Sequence, residues 1–132
     1  MRRLYFLLVL VVFISCSNDD DTINNGSLGL QGEWNLVNIT GGFAGVNQDF
    51  EKGIIIWDFN ESDMMVTVTN NSTITGVYDG FPSGTYTYSI VAPADIDELV
   101  VNEINLGTFI TTSDSFTVSQ QFRDGFEIRF ER

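Results

Sequence analysis

From residue 29 to residue 132 the chain alternates apolar and polar side chains in short runs, the period of a half-buried β-strand rather than of a helix. Eight such runs are predicted as strands, at 32–40, 53–60, 64–70, 84–91, 98–104, 107–112, 115–122 and 126–132. The alternation also assigns faces. Tyr86, Tyr88 and Ile90 share one side of their strand, against Thr85, Thr87 and Ser89. Phe116, Val118, Gln120 and Phe122 oppose Thr117, Ser119 and Gln121, and Phe126, Ile128 and Phe130 oppose Glu127, Arg129 and Glu131. The run at 53–60 is less regular: Ile55, Trp57 and Phe59 share a face, yet Ile54 and Ile56 are apolar too. Such a strand is covered on both sides or meets a partner.

Between the runs lie residues that favour turns. Asn60-Glu61-Ser62-Asp63, Thr112-Ser113-Asp114 and Arg123-Asp124-Gly125 are predicted hairpin turns, and Asp95-Ile96-Asp97-Glu98 is read as a turn. The one long connection is 71–83. The fold class is therefore all-β. Eight short antiparallel strands with one apolar face each form an up-and-down barrel or a two-sheet sandwich. Closure into a barrel would remove exposed strand edges.

The N-terminal region breaks the pattern. Arg2 and Arg3 precede eleven apolar residues, Leu4 to Ile14. A bilayer span needs about 20 residues, so this run fits the core of a secretory leader instead. Residues 16–28 are polar and acidic and read as a flexible tether. The expected organisation is a leader at 1–15, a tether at 16–28 and one domain at 29–132.

Charge and composition exclude several functions. The chain has 18 acidic residues against 6 basic ones, a net charge of −12, which repels nucleic acid and anionic head groups. There is no histidine. Ser-His and Cys-His nucleophilic systems and histidine zinc sites are therefore excluded. The single cysteine, Cys16, allows no disulfide within the chain, so the domain must rest on its apolar core. Carboxylate-only catalysis would need two acids across a cleft, and nothing sets Asp58, Glu61 or Asp63 that way. The expectation is no enzyme and no cofactor. Asp95, Asp97 and Glu98 lack the spacing of a calcium loop and are read as a solvated turn. Gly41-Gly42-Phe43-Ala44-Gly45 lacks the following helix that a phosphate cradle requires and is read as a loop at the barrel mouth.

Two resemblances add to this reading. Phe13-Ile14-Ser15-Cys16 resembles the lipobox of bacterial lipoproteins, in which the cysteine becomes the acylated first residue of the mature protein. The acidic Ser17-Asn18-Asp19-Asp20-Asp21 resembles the export signals of surface lipoproteins in Bacteroidetes. Together they imply a lipid-anchored outer-membrane protein on the periplasmic side or the cell surface. Gly32-Glu33-Trp34, at the start of the domain, and the alternating Phe126–Arg132 segment resemble the lipocalin-like family. The resemblance implies a small eight-stranded antiparallel up-and-down barrel. It implies closure by Trp34, with Arg132 packed across it, and non-catalytic binding of a small hydrophobic ligand. The ligand cavity would then be lined by Trp57, Tyr86, Tyr88, Phe109, Phe116 and Gln120, with Phe43, Tyr78 and Phe81 at the rim. A filled barrel acting through its loops and acidic face is the alternative, with its protein partner unknown.

Overall fold

The computed structural model describes residues 29–120 and 123–132. The expected leader at 1–15, Cys16 and the tether at 16–28 lie outside the described residues, as do Gln121 and Phe122. Nine strands form a single antiparallel sheet: β1 (Gly32–Gly41), β2 (Val46–Asp49), β3 (Ile55–Asn60), β4 (Met65–Asn70), β5 (Gly84–Val91), β6 (Glu98–Val101), β7 (Ile104–Thr111), β8 (Ser115–Ser119) and β9 (Phe126–Glu131). A short 3-10 turn, Pro93–Asp95, precedes β6. β1 pairs with β3, each strand from β3 to β8 pairs with the next, and β9 pairs back onto β1, so eight strands close a barrel. Among the described residues no helix is long and apolar enough to cross a membrane.

β2 is the strand that the alternation did not reveal. It occupies the same side of β1 as β3, opposite β9, and runs in the same direction as β3. From the pair Asn38↔Asp49 to the pair Asn35↔Ile56, β1 retreats three residues while its partner advances seven. Four extra residues are thus accommodated in an excursion between β2 and β3. It is tied down on both flanks: Phe50 N–H donates to the Val37 carbonyl at 2.9 Å and Gly53 N–H to Asn35 Oδ1 at 2.8 Å. Lys52 Nζ reaches Glu131 Oε2 at 3.2 Å and the Arg132 carbonyl at 2.7 Å. The glycine-rich stretch after β1 is accordingly the turn of a β1–β2 hairpin. At Gly41 (φ 102°) a side chain would stand 2.6 Å from the Gly125 carbonyl, so only glycine lets the two connections approach.

The other departure lies between β6 and β7. The expected break near 105–106 falls instead at Asn102 and Glu103, both with positive φ (49° and 66°), as a tight two-residue hairpin requires. Asn105 and Gly107, which signal a turn in sequence, instead build a bulge. Leu99 pairs with Gly107 and Val100 with Asn105, leaving Leu106 unpaired and buried. β8 also ends early, at Ser119. Gln120 N–H still makes an in-register bond to the Phe126 carbonyl at 2.8 Å, but the Gln120 carbonyl accepts from the N–H groups of Arg123 (2.8 Å) and Gly125 (3.0 Å), which turns the chain.

The inward faces meet in one core. It comprises Trp34, Leu36 and Ile39 from β1, Ile55, Trp57 and Phe59 from β3, Val66 and Val68 from β4, with matching residues from every later strand. A bulge at Val37 shifts the inward parity of β1 from Trp34 and Leu36 to Ile39. The faces assigned to Tyr88, Phe116, Val118, Ile128 and Phe130 are the buried ones.

Candidate functional site

At the end of the barrel where β1 begins and β9 finishes, the structure brings Trp34 and Arg132 together. Trp34 is fully buried, and its indole N–H donates to the Leu30 carbonyl at 2.6 Å. The Arg132 guanidinium lies 4.1 Å from the centre of that ring and donates to the carbonyls of Gly29 and Gln31, both at 3.0 Å. Glu61 Oε1 accepts the backbone N–H groups of Leu30 (3.0 Å) and Gln31 (3.2 Å). Residues 29–31 therefore form a strap across this end, held from both sides. Arg129, on the other face of β9, is exposed and lies 3.6 Å from Glu131.

Within the barrel, aromatic rings pack against one another. Phe116 stacks on Phe130 with centroids 4.3 Å apart, Phe130 lies 4.9 Å from Trp57, and Phe59 sits edge-on to Tyr88 at 5.0 Å. Phe109 adds an edge contact to Phe116 at 5.7 Å. Of the six residues expected to line a cavity, Trp57, Tyr88, Phe109 and Phe116 are buried in this cluster, and Tyr86 is half-buried against it. Gln120 is half-buried too, and its side-chain amide donates to the Asn105 carbonyl, so the bulge rather than a ligand satisfies it.

The opposite end is covered by the long connection 71–83. The expectation for Phe81 is an exposed rim residue; in the structure it is buried, 5.6 Å from Trp57 and 5.2 Å from Tyr86. The apolar mouth of a short barrel would otherwise face water, and turning Phe81 inward removes that exposure. Tyr78 is half-buried and stacks on Phe126 at 4.8 Å, and its hydroxyl pKa is raised by burial and then by the neighbouring Asp79 charge. Only Phe43 of the three rim residues is fully exposed, at the tip of the β1–β2 hairpin.

Two buried polar atoms in this interior, Trp57 Nε1 and Tyr88 Oη, have no hydrogen-bond partner among the described residues. Burial, then the negative charges of Glu61 and Asp63, push the Tyr88 hydroxyl pKa up to about 12. Among the described residues Glu98 is the one buried carboxylate, and it accepts from Asn105 Nδ2 at 2.5 Å. No group of three or more His, Cys, Asp or Glu side chains is gathered as a metal site would be among the described residues.

Two cavities open at the outer surface. One, of about 200 Å³, is bordered by Thr87, Tyr88, Ser89, Val100 and Glu103. The other, of about 350 Å³, lies between the β2–β3 excursion (Asp49, Phe50, Glu51, Ile54) and residues 71–74. Of the six expected cavity residues, only Tyr88 borders either one. Of the residues around the larger slot, the sequence pattern marks Ile54, in the run that is apolar on both faces and so is covered or meets a partner; Asp49, Phe50, Glu51 and Ile74 carry no such mark. Their one local signal is an apolar Phe50 set between Asp49 and Glu51.

No family model, curated protein or solved structure matches this chain.

Proposed function

We propose that this protein is a non-catalytic binding module, anchored to the outer membrane through acylated Cys16, whose filled lipocalin-like barrel recognises a partner protein from its outer surface and loops. The observation that carries the reading is the ring cluster Trp34–Phe116–Phe130–Trp57, which takes up the interior while the larger cavity lies outside it. Small eight-stranded barrels have room for their own side chains or for one small ligand. With Phe81 turned inward onto Trp57, side chains are the better account. The anchor is tested by Cys16→Ser. The variant should move from the membrane fraction to the soluble fraction, and retention in the membrane would count against it.

A second reading, a small hydrophobic ligand held inside the barrel, is favoured by Trp57 Nε1 and Tyr88 Oη. Both are buried donors without partners, and a polar group on a ligand would satisfy them. Its entry would require residues 71–83 to lift Phe81 off Trp57. Native mass spectrometry after loading with envelope lipid separates the two readings: a clean protein mass supports the filled barrel, and a discrete added mass supports the ligand.

A further inference from the structure

The barrel has closed edges except at β2. Phe50 N–H bonds to the Val37 carbonyl, which identifies Val37 and Phe50 as a hydrogen-bonded pair. Such pairs alternate along an antiparallel ladder. Gln48 and Val46 therefore bond to β1, and the backbone N–H groups of Asn47 and Asp49 point away from it. No strand pairs with that outer edge among the described residues. The reason is visible in the sheet. β4 follows β3 as far as the Ile55↔Asn70 pair, and Asn71 N–H still bonds to the Ile54 carbonyl at 2.9 Å. Beyond that point the chain departs toward Ile74, and a slot of about 350 Å³ opens between residues 71–74 and the end of β2 at Asp49 with the residues that follow it.

The slot has an apolar floor and an acidic margin. Phe50, Ile54 and Ile74 line it, and Ile74 is 36% exposed. Asp49 and Glu51 border it. One Asp49 oxygen accepts from Asn38 at 2.7 Å, and the adjacent cation, Lys52, is directed to Glu131 instead. A chain of net charge −12 repels its own copies and anionic surfaces, so the complementary occupant is cationic.

We propose that this slot receives an extended, basic peptide segment of a partner protein. The segment pairs with the outer edge of β2, seats an apolar side chain over Phe50, Ile54 and Ile74, and brings a lysine or arginine to Asp49 and Glu51. Edge pairing supplies affinity through the main chain, and the slot selects alternate side chains. The proposal deepens the partner-binding reading above and rests on it.

The test uses the full chain in zwitterionic nanodiscs with isoleucine methyl groups labelled. The probe is a capped hexapeptide of alternating lysine and valine, and the control alternates glutamate and valine. The Ile54 and Ile74 methyl resonances should move with the lysine peptide and not with the control. Ile104 and Ile110, 52% and 65% exposed on β7 away from the slot, should stay in place. Asp49→Asn with Glu51→Gln should weaken binding about tenfold. Asn47→Pro removes an outward N–H without touching the β1 ladder and should abolish the shifts. The proposal is overturned by shifts that are absent at saturation, that spread equally to Ile104 and Ile110, or that survive the Asp49/Glu51 double variant unchanged. Shifts at Ile54 and Ile74 on raising protein concentration alone would assign the slot to a second copy and also overturn it. A lipid cargo in native spectra, with the peptide shifts intact, removes the filled-barrel reading and leaves the slot. A clean mass with no shifts removes the slot alone.

Discussion

Trp57, on β3, and Ile74, in the connection after β4, are both large apolar side chains, and their surroundings differ. Around Trp57 close Phe59, Phe81 and Phe130, with centroids 4.9–6.1 Å away, and nothing of it reaches solvent. Ile74 stands on the edge of an open slot, where β4 has left the sheet and β2 has no outer neighbour. Trp57 is enclosed by the chain's own side chains, whereas Ile74 is left 36% exposed among the described residues. Apolar surface that a folded chain leaves beside an unpaired edge, with acidic groups around it, is the ordinary form of a recognition surface. On the proposed partner-binding reading, recognition and stability sit on separate residues in this barrel.

Substitutions break or sharpen that separation. The largest effect is expected inside. Trp34→Ala should cost about 3–5 kcal/mol in chemical denaturation, because it empties a fully buried site and removes the ring under Arg132. A loss below about 1 kcal/mol would place Trp34 outside the load of the core. Arg132→Met should cost less, about 0.5–2 kcal/mol, the range for a cation over an indole. The same melts would detect it.

Tyr88 gives a pH signature. Its folded pKa, raised to about 12, lies above the ordinary tyrosine value of 10.0. The folded state thus holds the proton more tightly than the unfolded chain does. That contribution is complete below about pH 10 and is lost as pH rises toward the folded pKa. Denaturation midpoints should fall between pH 10 and 12, and Tyr88→Phe should flatten that slope. The same variant deletes a buried hydroxyl without a partner, so its stability at pH 7 should equal or exceed that of the parent. The smallest effect on stability belongs to the slot: Asp49→Asn with Glu51→Gln should stay within about 0.5 kcal/mol of the parent. A large destabilisation there would erase the separation.

Most strands are legible in the sequence because one residue in two is apolar, as in Phe126, Ile128 and Phe130, and the barrel buries that face of β9. Three features escape this logic. Val46-Asn47-Gln48-Asp49 shows no core alternation, since β2 is held by backbone pairing and its faces are half-buried or exposed. Asn105 and Gly107 have the composition of a turn, and only the register of β6 against β7 makes them a bulge. Gly107, at φ 97°, would strike the Ser119 carbonyl if it carried a side chain, a constraint set by the backbone of the neighbouring strand β8. Phe81 illustrates a third limit: an aromatic on a loop turns inward or outward according to the mouth it must cover. The slot is less legible still. It exists because four extra residues enter the partner side of β1, and their effect appears only when β3 and β4 are paired.

The most direct test of the central claim, that the chain fills its own barrel, is native mass spectrometry of residues 29–132 after exposure to envelope lipid. Among the described residues every member of the core falls between Leu30 and Phe130, and this segment carries them all. The account predicts the bare protein mass under conditions that load a ligand-binding barrel. A discrete added mass that disappears on unfolding would contradict it.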